Sequence, residues 1–233
     1  MRLGLGISIP GTSGLVQPAF SPLDLSPVLW LDAADTSTIT EVGGAVSQWD
    51  DKSGNGNDLT QAQAVYQPVT GTRTLNSLNV LDFASDYVEI ASLVISQPFT
   101  VFCVAETDGA SEYTVYDFGA AGVATLFNIR NSVGDYRVLS GAVLQGGTSD
   151  NDPHVFFIVH NSTSSLLDVD GVSVLSGNAG TNAATKMRLG VSGGGGNFLD
   201  GAIAEVIVVA GTLSAGEIAD TEQYLANKWG ITL

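Results

Sequence analysis

The chain has 233 residues, of which 44% are hydrophobic and only 14% are charged, a composition that allows a large buried core without cross-links. Its 24 acidic and 8 basic residues give a net charge of −16, which disfavours nucleic acid and anionic membrane surfaces as partners. A single cysteine, Cys103, excludes an intrachain disulfide, and no stretch reaches the roughly 18 apolar residues of a membrane span.

Residues 1–26 are rich in glycine, serine and proline and cannot form a core of their own. The alternating residues Leu3, Leu5, Ile7 and Ile9 favour an arm that adds as an edge strand to a neighbouring protein. An unstructured terminus is the alternative. The apolar run is broken by glycines and lacks a clear cleavage site, so we expect no export through a cleaved signal peptide.

From Pro27 onward, short apolar segments alternate with turn residues, as in a β-sandwich or barrel. The first segments are "PVLWLDA", "AVSQW" and "LNVLDFASDYVEIA". The segment "PFTVFCVAET" is almost continuously apolar, so it predicts a buried strand with Cys103 as a core thiol. Trp30, Trp49 and Trp229 occupy apolar positions and are predicted to lie in the core.

The middle of the chain predicts further short strands at "YTVYDFGA", "ATLFNIRN" and "YRVLSG". Asp170 and Gly171 separate two alternating apolar runs, which is a strong signal for a tight hairpin turn. The run "SGGGGN" at 192–197 has no lysine and no following helix, so it predicts a flexible connection and not a phosphate-binding loop. The last strand is "DGAIAEVIVVAG".

One helix is predicted after the last strand. Ser214 and Glu217 have the spacing of a capping box, and Gly230 supplies the C-terminal stop. Lys228 in the last turn suits the helix dipole. The apolar stripe of Ile218, Leu225 and Trp229 must pack against something, and we expect it to cover an edge or the open end of the sandwich.

The pattern "LWLDAADTSTIT…VSQWDDKSGNGNDLTQ", "LDFASDYVEI", "HVFFIVHNS…LLDVDGVSV" and "FLDGAIAEVIVVAGTLSAGEIADTEQYLANKWGI" resembles LamG-like domains of the concanavalin A-like lectin and glucanase class. The resemblance covers residues 27–233. It implies an all-β fold, a two-sheet antiparallel jelly-roll sandwich with one C-terminal α-helix, preceded by the extended arm of residues 1–26.

Within that class, the opening "WLDAADTSTIT…WDDKSGNGN" and the closing "YLANKWGI" look most like domains of bacteriophage virion proteins and large bacterial surface proteins. The resemblance implies a non-enzymatic virion structural protein, such as a capsid decoration, head-fibre or tail-associated component released by lysis. Residues 1–26 would dock on other virion proteins, and the jelly roll would project outward, where it could adhere to cell-surface glycans. The alternative is a carbohydrate-binding module of a bacterial surface or secreted protein. A homo-oligomer is compatible with either.

Catalytic residues are not expected. Glycoside hydrolysis needs two carboxyl groups about 5–9.5 Å apart, whereas the glutamates here are scattered and no strand presents two at i and i+2 or i+4. The two histidines, His154 and His160, lie six residues apart on one predicted strand. That places them about 20 Å apart, too far to share a metal ion, and favours structural roles.

Two groups of residues are candidates for ligand contacts. The loop "WDDKSGNGND" supplies the hard oxygen atoms that calcium prefers, so no cofactor is required but a calcium ion is a candidate ligand of this loop. Ordinary turn chemistry is the alternative. Tyrosines on the middle strands are candidates for stacking against sugars, although tyrosine is common in strands. The calcium candidates are Asp50, Asp51, Asn55 and Asp58, and the glycan-contact candidates are Tyr113, Tyr116 and Tyr136.

Overall fold

The computed structural model describes residues 20–119, 122–130 and 132–233. The predicted docking residues Leu3, Leu5, Ile7 and Ile9 therefore lie outside the described residues. The described end of the predicted arm is a short 3₁₀ helix at Pro22–Leu25, capped by Ser21, with Leu25 buried. Among the described residues, no helix is long and apolar enough to cross a membrane.

The described part of the chain forms 17 strands and one α-helix, α1 (Ala215–Trp229). The strands are β1 (Leu29–Asp32), β2 (Ile39–Val42), β3 (Ala45–Trp49), β4 (Leu59–Thr60), β5 (Val69–Leu75), β6 (Leu78–Ala84), β7 (Val88–Ile90), β8 (Phe99–Thr107), β9 (Glu112–Asp117), β10 (Leu126–Arg130), β11 (Asp135–Leu139), β12 (Val143–Gly146), β13 (His154–His160), β14 (Ser165–Val169), β15 (Val172–Gly177), β16 (Met187–Leu189) and β17 (Asp200–Ala210).

The strands pair in antiparallel fashion into two layers. The back sheet has β17 at its centre, with β8, β13, β14 and β15 on one side and β1, β6 and β5 on the other. The front sheet runs in the order β2–β3–β4–β7–β16–β9–β10–β11–β12. The layers join at one corner, where Ala45 pairs with Val69. The protein is thus the predicted all-β jelly-roll sandwich.

The described residues form two apolar cores. The first lies between the sheets and contains Cys103 and Trp49, which are fully buried. The second lies on the outer face of the back sheet, where Trp30 and Trp229 are buried. Because the central strands β8, β13 and β17 face apolar groups on both sides, their sequences are almost continuously apolar. The predictions for Cys103 and the three tryptophans are confirmed.

The C-terminal helix begins and ends as predicted. The Ser214 hydroxyl accepts the backbone N–H of Glu217, whose carboxylate accepts the N–H of Ser214 at 2.8 Å, and Gly230 has a left-handed φ of 74°. Its location differs from the prediction. The helix lies on the outer face of the back sheet, with Leu225 and Trp229 in the second core, and not over the open end of the sandwich. The outward side chains of the back sheet are themselves apolar and require this cover.

The hairpin prediction is also confirmed. Val169 of β14 pairs with Val172 of β15, and Asp170 and Gly171 between them have φ values of 50° and 73°. These positive angles match the type I′ turn whose twist suits a two-residue hairpin.

Candidate functional site

The three tyrosines predicted to contact glycans are buried. Tyr113 is 5% exposed, Tyr136 is 2% exposed and Tyr116 is fully buried in the core between the sheets. The prediction that they form a surface for stacking is wrong. A register shift between β9 and β10 turns both Tyr113 and Tyr116 inward, although they are three positions apart and would face opposite sides of a regular strand.

The predicted calcium loop is a network of side chain to backbone hydrogen bonds. The Asp51 carboxylate accepts the backbone N–H groups of Trp30, Ser53 and Asn57 at 2.8–3.0 Å. Asp58 accepts the N–H of Asp51 at 2.8 Å. These bonds tie the loop to the start of β1 and use oxygen atoms that a cation would need.

The other two calcium candidates also have partners. Asn55 donates its amide to the carbonyl of Pro27 at 3.0 Å, and Asp50 accepts the amide of Gln48 at 2.7 Å. Within the described residues, no group of three or more acidic, histidine or cysteine side chains is arranged to hold a metal ion. Calcium binding by this loop stays a prediction.

The two histidines have different surroundings. His160 is fully buried between Tyr116 and Ser140, and burial lowers its pKa to about 3. Burial also acts to lower the pKa of His154, but the hydrogen bonds that its ring donates to Asp170 at 2.6 Å and Asp150 at 2.8 Å outweigh it and raise the pKa to about 9. His154 therefore clamps the loop before β13 to the β14–β15 turn.

A closed polar cluster, the Glu205 cluster, lies under helix α1. Glu205 is fully buried, and its two carboxylate oxygens accept four hydrogen bonds. Oε1 takes the indole N–H of Trp30 at 2.8 Å and the Tyr224 hydroxyl at 3.0 Å, while Oε2 takes Lys228 at 2.7 Å and the Trp229 indole at 2.8 Å. Burial raises the pKa of Glu205, and Lys228 opposes that effect. With every acceptor in use, the cluster fastens the helix to the back sheet.

An open cleft lies across the front sheet and the loops beside β7 and β16. We call it the aromatic cleft; it has a volume of about 320 Å³. It combines aromatic rings, one guanidinium group and glycine backbone, a mixture typical of small-ligand sites. Its lining residues are Tyr66, Tyr87, Arg188, Val191, Gly193, Gly194, Gly195 and Phe198.

The tyrosine pair of the cleft is positioned by a short turn. Tyr66 ends a 3₁₀ helix at Ala64–Tyr66, and its carbonyl accepts the backbone N–H of Tyr87 at 3.0 Å. The two ring centroids are 5.6 Å apart. Tyr66 is 36% exposed and lines the cleft, so part of its side chain is accessible to a ligand.

Arg188 connects the rings to the glycine loop. Its Nε donates to the Glu89 carboxylate at 2.6 Å, and one terminal nitrogen donates to the Gly193 carbonyl at 3.1 Å. The guanidinium also lies 5.8 Å from the Tyr87 ring centroid, within range of a cation–π contact. Arg188 is thereby fixed in place while its charge is compensated by Glu89.

Asp117 holds the other side of the same loop. It is 1% exposed, and its carboxylate accepts the backbone N–H groups of Gly119, Thr125 and Gly193, the last at 2.6 Å. Burial raises its pKa, and these three donors oppose the rise. Gly193 is therefore held at its N–H by Asp117 and at its carbonyl by Arg188.

Sequence patterns carry little indication of this cleft. Tyr66 and Tyr87 are 21 positions apart and lie outside the strands, and they meet because β4 pairs with β7 at Thr60 and Glu89. The glycine run was predicted to be only a flexible connection, but it makes ordered turns, including bonds of Ser192 to the Gly196 carbonyl at 2.8 and 3.1 Å. A run of glycines beside a strand arginine was the available signal.

Comparison with known proteins identifies the fold class. No protein-family model and no curated protein matches the sequence. Trypanosoma rangeli sialidase is 14% identical with a TM-score of 0.59, and the alignment covers 88% of this chain and 33% of that one. Domain 4 of the extracellular arabinanase AbnA from Geobacillus stearothermophilus, solved with arabinotriose, is 11% identical with a TM-score of 0.56. The alignment covers 84% of this chain and 98% of that domain.

The binding domain of botulinum neurotoxin serotype D is also similar, with 15% identity, a TM-score of 0.56 and coverage of 91% of this chain and 56% of that one. The present chain spans about a third of the sialidase chain. At these identities the likeness shows the fold alone. It supports a β-sandwich, and it does not bear on the narrower resemblance to LamG-like or phage proteins.

Proposed function

We propose that the protein is a non-catalytic glycan-binding module whose ligand binds in the aromatic cleft. The observation that carries this proposal is the exposed ring of Tyr66, held beside Tyr87 next to polar groups with fixed positions. Sugar rings present apolar C–H faces and hydroxyl edges. They therefore stack on aromatic rings and bond to nearby polar groups at the same time.

Another cavity is larger but lacks this combination. It has a volume of about 470 Å³ and is lined by polar and small side chains with one isoleucine, without an aromatic residue in its described lining. The aromatic cleft is thus the better candidate of these two cavities. The similarity in fold to the arabinanase domain solved with arabinotriose supports a glycan as the class of ligand.

The carboxylates near the cleft support a non-catalytic role. Glu89 is paired with Arg188, and Asp117 is buried and occupied by three backbone donors. Neither is placed as a general acid beside an open nucleophile, which glycoside hydrolysis requires.

Glycan binding suits either of the two settings predicted from the sequence, a virion or a bacterial surface protein. The virion role rests on the resemblance and on residues 1–26. Deleting residues 1–19, which keeps the buried Leu25 in place, should abolish incorporation into particles while the sandwich still folds. Unchanged incorporation would contradict the virion role and leave glycan binding untouched.

The glycan proposal is tested on a glycan array, with and without calcium, followed by calorimetry on any sugar that binds. Tyr66→Ala should weaken binding by about 10-fold or more, because loss of a stacking ring removes about 1–2 kcal/mol. Val65→Ala is the matched control: Val65 lies in the same turn and is 76% exposed, but it does not line the cleft. Absence of glycan binding by the wild type, or equal binding by the Tyr66→Ala variant, would overturn the proposal.

A further inference from the structure

We infer that the aromatic cleft selects a neutral saccharide segment and contacts it directly through the backbone of Gly194 and Gly195. This inference rests on the proposed function and adds the class of sugar and the groups that recognise it. It depends on two separate observations, the charge balance at Arg188 and the surroundings of Gly194.

The charges around the cleft cancel. Arg188, the only charged residue in the described lining, is bonded to Glu89 at 2.6 Å. Lys186 and Asp117 lie close enough to influence each other, and burial together with Arg188 lowers the pKa of Lys186. Two cations and two carboxylates leave no net positive charge for an acidic sugar, on a chain whose total charge is −16.

Arg188 also has little freedom to turn toward a carboxylate ligand. Its Nε is used by Glu89 and one terminal nitrogen by the Gly193 carbonyl. A bidentate arginine–carboxylate contact needs two parallel N–H groups, and the edge of the guanidinium that carries Nε is already occupied by Glu89. The guanidinium therefore acts mainly to position the glycine loop.

Gly194 has no internal reason to be a glycine. Its φ lies outside the left-handed region, and an added Cβ would meet no atom within 4 Å. Gly195 differs, because its φ of +76° disfavours a side chain. Since Gly194 lines the cleft, the missing side chain leaves its peptide groups open to close approach by a ligand.

The loop is fixed well enough to present those peptide groups. Asp117 and Arg188 hold the two sides of Gly193, and the N–H of Gly195 donates to the Ser192 carbonyl at 2.8 Å. A backbone held in place costs less entropy on binding than a loop that must be ordered by its ligand. A cleft of about 320 Å³ is at the small end of ligand sites, so it accommodates about one or two sugar rings.

Gly194→Val tests the backbone contact. The variant should fold with an unchanged melting temperature and bind the array-identified sugar at least about 10-fold more weakly. Gly216→Ala is the matched control, because Gly216 also has an ordinary φ and open space around its Cβ but lies in helix α1. Binding by Gly194→Val equal to that of the wild type would overturn the backbone contact.

The charge argument is tested with paired neutral, uronic-acid and sulfated oligosaccharides. The wild type should prefer the neutral member, and its affinity should change less than about 2-fold between 50 and 500 mM salt. Glu89→Gln should free the charge of Arg188 and raise uronic-acid binding by about 3-fold or more, whereas Glu41→Gln, on the distant strand β2, should not.

Preference of the wild type for acidic sugars would contradict the inference that the cleft selects neutral saccharides, while the proposal of glycan binding would still hold. A wild type that binds no sugar at all would instead remove the proposed function itself. The two failures are therefore distinguishable by the wild-type array alone.

Discussion

The Glu205 cluster and the aromatic cleft are built from the same kinds of groups but in opposite states. Each combines aromatic side chains, a carboxylate and a cation. In the Glu205 cluster the carboxylate is fully buried and accepts four hydrogen bonds, so it has no free acceptor for a ligand. In the aromatic cleft, Tyr66 is 36% exposed and the glycine backbone faces open space. The number of hydrogen bonds already made and the burial of the side chains, more than the residue types, distinguish a structural site from a candidate binding site.

Removing the centre of the closed cluster should have the largest effect. Glu205→Ala should lower the free energy of unfolding by about 3–5 kcal/mol, because it leaves two indole N–H groups without their acceptor and removes one of the two carboxylates that pair with Lys228. Chemical denaturation monitored by tryptophan fluorescence measures the change. Asp220→Ala, an exposed carboxylate on the same helix, should change stability by less than about 0.5 kcal/mol. A loss below about 1 kcal/mol for Glu205→Ala would contradict a structural role for the cluster.

A second carboxylate of the helix lacks the partners that Glu205 has, and it should make stability depend on pH. Glu222 is 7% exposed, its Oε1 atom has no hydrogen-bond partner, and burial together with Asp168 and Asp170 raises its pKa from 4.5 to about 7. The folded protein binds this proton more tightly than the unfolded chain does. The protonated carboxyl of Glu222 therefore adds its full stabilisation to the folded state below about pH 4.5, and this stabilisation is lost as the pH rises through 7.

Glu222→Gln should consequently stabilise the protein by about 1–2 kcal/mol at pH 8 and have little effect at pH 4.5. Denaturation curves at several pH values give the comparison, with Asp220→Asn as the exposed control. An unchanged pH dependence in Glu222→Gln would show that this carboxyl is not the titrating group.

Arg188→Gln should have the smallest effect on stability, below about 1 kcal/mol, because the ion pair with Glu89 is partly exposed. Its effect on binding should be larger, about a 5-fold to 10-fold loss of affinity, since the Gly193 carbonyl loses the donor that positions the loop. Calorimetry and melting temperature together separate the two effects. A strong loss of stability with normal affinity would place Arg188 with the structural residues of the closed cluster.

Predictions from short stretches of sequence were correct where neighbouring residues determine the hydrogen bonds or dihedral angles of the backbone. The Ser214–Glu217 capping box, the Gly230 stop and the Asp170–Gly171 turn are all found where their residue types predicted them. Each of these features is decided within a few residues, by a hydrogen bond or a positive φ that few residue types can adopt.

Predictions that depend on the register of strand pairing were wrong. Tyr113 and Tyr116 should lie on opposite faces of a regular strand, yet a bulge in the β9–β10 pairing buries both. No strand pattern singles out Tyr66 and Tyr87, because neither lies on a strand, and only the pairing of β4 with β7 brings their rings together.

The sequence by itself determined that this protein is a β-rich sandwich whose last strand is followed by one capped helix. The alternation of apolar and polar residues, the turn residues and the helix caps all act over short distances along the chain. Tertiary structure alone decided which face that helix covers, which tyrosines remain at the surface and how the glycine run is held. Those outcomes depend on strand pairing between distant segments and on the burial that results. The physical reason is that exposure and hydrogen-bond saturation are properties of the assembled layers, and no short stretch of the chain carries them.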